Sequence, residues 1–139
     1  MKSTRTIKEA IVRQYPDISL DDSLGSAIKM MARDNTSALM VKDDNGVLLG
    51  IVTNSDVMYS LINEQDLQET KISSFMTSCE LISAEGTRNA CAQLDKDQDV
   101  LSALKVMYEA GVNHLVVSGA DGEQAGIVSS LEIIKLLGK

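Results

Sequence analysis

The sequence predicts an α/β (α+β) protein made of two β-α-β-β-α repeats packed sheet to sheet about a pseudo-two-fold axis. Three observations lead there. First, displaced by 76 residues, Ser23–Leu61 lies over Asp99–Leu137 without a gap, with identities that include Ala27/Ala103, Lys29/Lys105, Leu39/Leu115, Gly46/Gly122, Gly50/Gly126, Ile51/Ile127 and Val52/Val128. Second, within each copy the apolar residues pass from helical spacing to short strand runs and back. Third, two copies are too few for a solenoid, so the pair is expected to close on itself. Neither copy looks able to bury its apolar faces alone, whereas 139 residues suffice for a shared core.

In the first copy, Ile18–Leu20 reads as a short strand. Leu24, Ala27, Ile28 and Met31 recur at helical spacing behind Asp22 or Ser23 as N-cap. Asn35 stands where that helix would stop, and Gly111 matches it in the second copy; both residue types tolerate the left-handed conformation of a helix end. Ala38–Val41 and Val47–Val52 are strand runs joined by Asp43-Asp44-Asn45-Gly46, a turn with an Asn-Gly signal. A second helix follows from Asn54 to about Ile62. The second copy repeats the series with Gln93–Leu94, Val100–Ala110, Asn113–Ser118, Gln124–Val128 and Ser130–Leu137. Residues 1–70 are assigned to the first repeat, ending in a polar, solvent-facing connector from Asn63 to Thr70. Residues 71–139 form the second, which carries an extra segment at 79–92. The methionines, among them Met30, Met31, Met40, Met58 and Met107, fall on core-like positions and read as packing filler.

Composition excludes several functions. Lys and Arg number 13 against 20 Asp and Glu, a net charge of −7, so there is no basic face for a phosphate backbone. With Phe75 and three tyrosines as the whole aromatic set, there is no stacking platform for single-stranded nucleic acid. Cys79, Cys91 and His114 would have to converge with a carboxylate to hold zinc, so no metal is expected. Met1–Glu9 lacks the apolar core of a signal peptide, and Val47–Val52 is far short of a membrane span. A soluble cytoplasmic protein without a membrane partner is the expectation.

Gly50-Ile51-Val52-Thr53-Asn54-Ser55-Asp56 resembles the Gly-φ-φ-Thr/Ser-x-x-Asp signature that closes a CBS (cystathionine β-synthase) domain, and Gly126-Ile127-Val128-Ser129-Ser130-Leu131-Glu132 is its second occurrence. Ile7-Lys8-Glu9-Ala10-Ile11 and Ile72-Ser73-Ser74-Phe75-Met76 resemble the short helical lead-in of such domains. The resemblance covers essentially the whole chain and implies a stand-alone tandem pair, a Bateman module, with regulatory ligand binding.

The ligands so implied are adenosine compounds: AMP, ADP or ATP foremost, with S-adenosylmethionine or another adenosyl compound as the further option. Thr53 ends a strand and starts a helix, so its hydroxyl and neighbouring N–H groups suit a phosphate or ribose oxygen. Asp56, one turn on, suits the paired hydroxyls of ribose. Ile51 would line the same cleft. Glu85-Gly86-Thr87-Arg88-Asn89-Ala90-Cys91-Ala92 resembles a nucleotide-lining stretch of the AMP-activated protein kinase gamma subunit, which would set Thr87 and Ala92 opposite Thr53 and Asp56. Val112, Asn113 and His114 would then supply adenine and phosphate contacts, with His114 or Arg88 as the basic group; the bland alternatives are a surface loop and a partly exposed histidine. Ser129, Glu132, Ile127 and Ala38 would form a weaker second cleft. Both Thr53-x-x-Asp56 and Ser129-x-x-Glu132 also fit the helix capping box, which needs no ligand, and the longer Glu132 favours the cap-only reading there.

The function expected is therefore a regulatory module that senses an adenine nucleotide and acts in trans through ligand-dependent association, as a homodimer with an unidentified protein effector. The alternative is a ligand-free homodimerisation module. No phosphate-binding Gly-x-x-x-x-Gly-Lys-Ser/Thr loop and no Ser-His-Asp set occurs, so no catalysis is expected and no cofactor is required.

Overall fold

A computed structural model describes residues 5–78, 94, 96–117 and 126–139. Two compact units emerge, Tyr15–Glu80 and the combination of Met1–Gln14 with Leu81–Lys139.

In the Tyr15–Glu80 unit, β2 (Asp17–Ile18) pairs parallel with β3 (Ala38–Lys42), which pairs antiparallel with β4 (Leu48–Thr53), which pairs antiparallel with β5 (Thr77–Ser78). Helix α1 (Leu24–Asp34) starts at Ser23, whose Oγ accepts the Ser26 N–H at 3.1 Å. It stops at Asn35, which takes φ +49°, and the Thr36 N–H closes the end on the Met31 carbonyl at 3.1 Å. Helices α2 (Asn54–Ile62) and α3 (Ile72–Phe75) complete the unit. Ile18, Ala27, Leu39, Val41, Val52 and Ile72 form its core, with Met30, Met31, Val57 and Phe75 packed against them.

In the other unit, a 3-10 helix at Ile7–Ala10 leads into β1 (Ile11–Val12), antiparallel to β7 (Gly126–Ser129), which is antiparallel to β6 (His114–Val117). Helix α4 (Val100–Ala110) starts at Asp99 and stops at Gly111, with φ +71° and the Val112 N–H on the Met107 carbonyl at 3.0 Å. Helix α5 (Ser130–Leu137) ends at Gly138, and Arg5 Nη1 donates to the Leu136 carbonyl near that end. Ile7, Ala10, Val100, Ala103, Met107, Leu115, Val117, Val128, Ile133 and Leu136 form this core. Ile7 is fully buried, a contribution of about 1.5–3 kcal/mol from a residue near the start of the chain.

The 76-residue displacement survives in register: Ala38 opposes Thr53 as His114 opposes Ser129, and Met40 opposes Ile51 as Val116 opposes Ile127. The lead-ins, however, are exchanged. Ile7 N–H donates to the Gln98 carbonyl and Ile72 N–H to the Asp22 carbonyl, both at 2.9 Å, so each lead-in docks beside the N-cap of the other repeat's first helix. The signature glycines make room for this. A Cβ on Gly50 would overlap the Thr77 carbonyl oxygen, and one on Gly126 would lie 2.5 Å from Ile11 Cγ2.

Three local expectations need correction. Met58 is not in the core; it stands 57% exposed on α2. The connector is exposed from Asn63 to Glu69 but is not merely a solvent-facing link. Its Thr70 and Leu67 carbonyls accept the Leu24 and Gly25 N–H groups at 2.8 and 2.7 Å, satisfying donors that the first turn of α1 leaves open. The hairpin turn uses Gly46 alone in the left-handed region, at φ +80°, while Asp43 Oδ1 accepts from Asn45 N–H and Val47 N–H at 2.8 and 2.9 Å.

Candidate functional site

Strand β4 delivers Thr53 to the junction with α2, where its extended backbone (φ −110°, ψ 167°) makes it the N-cap. The Asp56 N–H donates to Thr53 Oγ1 at 3.3 Å, and the Thr53 N–H donates to Asp56 Oδ2 at 2.9 Å, closing a reciprocal capping box. The Thr53 hydroxyl also donates to Oδ2 at 3.2 Å. From β5, the Thr77 hydroxyl lies 3.1 Å from Oδ1 and 3.2 Å from Oδ2. Thr77 went unremarked in the sequence because a single threonine in a two-residue strand carries no periodic signal.

Burial pushes the Asp56 carboxyl above its ordinary value, and the hydrogen bonds from Thr53 and Thr77 pull the other way. Asp56 also faces a groove of about 600 Å³ between α2 and α3, lined by Tyr59, Ser60, Asn63, Ser74 and Phe75 among others, in which it is the one charged residue among the described residues. That size suits a small organic molecule.

Ser129 repeats half of this arrangement. Its Oγ accepts the Glu132 N–H at 3.1 Å, but the Glu132 carboxylate turns to Lys135 Nζ at 3.2 Å. The residue type favours a complete capping box here, yet with its carboxylate on Lys135 only the Ser129 half is made. Ile51 and Ile127 are fully buried in their strands, and Ala38 is buried opposite Thr53.

His114 begins β6, opposite Ser129, and is buried rather than partly exposed. Desolvation lowers its pKa from the ordinary 6.5, which favours the neutral ring. The Asn113 carbonyl accepts the Ser130 N–H at 3.0 Å, as the Ser37 carbonyl accepts the Asn54 N–H at 3.0 Å, and Val112 packs against the core. Thr53, Asp56, Ile51 and Ala38 thus share one unit, while Val112, Asn113, His114, Ile127, Ser129 and Glu132 share the other. Thr87, Arg88 and Ala92 lie outside the described residues, as does Gln93. Among the described residues no three metal-ligating side chains cluster, and no helix is long and apolar enough to cross a membrane.

Comparison with known proteins places this geometry. The chain is 26% identical over 135 residues to inosine-5′-monophosphate dehydrogenase of Methanocaldococcus jannaschii, covering 97% of this chain but 24% of the dehydrogenase. It thus spans about a quarter of that relative. Its fold is similar to that of an uncharacterised conserved protein from Pyrococcus horikoshii, with a TM-score of 0.80 at 16% identity over 100% of this chain and 96% of that one. It is similar as well to the CBS domain pair of protein MJ0100, crystallised with 5′-methylthioadenosine and S-adenosyl-L-methionine, with a TM-score of 0.74 at 21% identity over 96% of this chain and 100% of that one. The family model for the CBS domain matches residues 7–63 and 88–139. With the signature glycine, threonine and aspartate in place at Gly50, Thr53 and Asp56, the chain belongs to the CBS domain family and carries a pair of its repeats.

Proposed function

We propose that this pair is a non-catalytic regulatory module that binds an adenosyl ligand and acts in trans through ligand-dependent self-association. The observation that carries the reading is the Asp56 carboxylate, half-buried, fixed by Thr53 and bordering a groove. Such a carboxylate is preorganised to accept the two hydroxyls of a ribose. Ile51 and Thr53 belong to the same site, on the strand that leads into Asp56. The complexes of MJ0100 support an adenosyl ligand over other classes.

The test is thermal unfolding with adenosine, 5′-methylthioadenosine, S-adenosylmethionine, AMP, ADP and ATP, on the wild type and Asp56→Ala. A ligand at about 100 times its Kd adds roughly 2.7 kcal/mol. At roughly 2–4 °C per kcal/mol the midpoint rises by about 5–11 °C. A selective rise that Asp56→Ala abolishes is the expected result; no rise with any compound defeats the adenosyl reading.

One observation favours a second reading. The capping box already uses the Asp56 carboxylate within the fold, while α2 exposes Met58, Tyr59, Leu61 and Ile62 and α5 exposes Leu131, Ile134 and Leu137. Apolar helix faces of this kind suit a homodimer that assembles without ligand.

A further inference from the structure

We propose that Thr77 is a specificity-determining residue of the Asp56 site: its hydroxyl occupies the two-oxygen edge of the carboxylate that a ribose diol needs, and a ligand binds by displacing it. This rests on the adenosyl reading above.

The hydroxyl lies nearly equidistant from the two oxygens, at 3.1 Å from Oδ1 and 3.2 Å from Oδ2. One proton is therefore shared across the fork of the carboxylate. Oδ2 is further engaged by the Thr53 N–H at 2.9 Å and the Thr53 hydroxyl at 3.2 Å. Among the described residues Thr77 is the partner of Oδ1. A vicinal diol recognised by a carboxylate donates one hydroxyl to each oxygen along that same edge. The diol and the Thr77 hydroxyl compete for one place.

Sheet register holds Thr77 there. Thr77 opposes Ile51 and Ser78 opposes Gly50, and because Gly50 has no side chain the β5 backbone lies directly against β4. The Met76 N–H on the Ile72 carbonyl at 3.0 Å fixes the approach to β5. A ligand without a vicinal diol offers one hydroxyl at most and does not match the bond it would break.

Isothermal titration calorimetry with adenosine and S-adenosylmethionine, on the wild type, Thr77→Val and Thr77→Ser, tests this. Thr77→Val is expected to bind about tenfold more tightly, since a hydrogen bond to a charged group no longer has to break. Thr77→Ser keeps the hydroxyl and restores the wild-type affinity. A merely structural hydroxyl would leave binding unchanged or weaken it. Equal or weaker binding by folded Thr77→Val overturns the proposal and leaves the adenosyl reading standing. Absence of binding in all three proteins overturns the adenosyl reading and this inference with it, and binding by Thr77→Val alone supports both. Should Thr77→Val lack a cooperative thermal transition, Thr77→Ala takes its place under the same outcomes.

Discussion

The carbonyl oxygen of Thr77 lies where a side chain on Gly50 would have to go. The glycine of the signature is thus a packing requirement of the docked lead-in strand. We predict that Gly50→Ala destabilises the protein by about 2–3 kcal/mol, because the obstacle is backbone and has no rotamer to change. Gly46→Ala, at φ +80° with no atom within 4 Å of the added methyl, costs only the roughly 1–2 kcal/mol of left-handed backbone. Urea unfolding of both variants checks the order; equal costs would mean that β5 yields freely.

The two caps separate in the same assay. Asp56→Ala removes the returning arm of a complete capping box, and we predict a loss of about 1–2 kcal/mol. Glu132→Ala removes a carboxylate that pairs with the exposed Lys135, with a predicted loss below about 0.5 kcal/mol. A larger loss at Glu132 would contradict the half-made box.

Stability has two opposed pH slopes. His114 titrates lower in the folded protein than its ordinary 6.5, so the unfolded chain binds more protons and stability falls as pH drops through and below that value. Asp56 titrates above its ordinary 3.8, so the folded state holds its proton longer and stability falls as pH rises through that window. Urea midpoints from about pH 4 to 8 should lose the first slope in His114→Gln and the second in Asp56→Asn. An unchanged profile in either variant refutes its assignment.

Self-association is predicted to run through the exposed helix faces. Ile62 and Ile134 are 71% and 60% exposed, so lysine at either site should leave the fold intact, as read by circular dichroism. Sedimentation should show Ile62→Lys or Ile134→Lys shifted from dimer to monomer. A wild type that stays monomeric at every concentration removes association from the proposed function.

Much of this fold is legible in the residues. The bounds of α4 and α5 follow from apolar spacing and end signals, and Asn35 and Gly111 take the left-handed conformation their types allow. The exchange of lead-ins is not legible. A two-residue strand such as Ile11–Val12 has no alternation from which to read a partner, and a partner far along the chain leaves no local mark. The Thr53–Asp56 pair was visible because its spacing is that of a helix start, whereas Thr77 reaches Asp56 only through sheet register. The burial of His114 was missed for a similar reason: strand-face burial depends on which sheet the residue enters, and its counterpart Ala38 carries no charge to betray it.

The exchanged lead-ins also set an order of assembly on a chain made from its N-terminus. Ile11 pairs with Val128 and Val12 with Ile127, so β1 waits for its partner until β7, far along the chain, is synthesised. Tyr15–Glu80 is continuous and its described strands pair with one another, so it is free to fold early. The unit with the longest-range pairing closes afterwards between β1 and β7, and its contact order makes that closure the slow step.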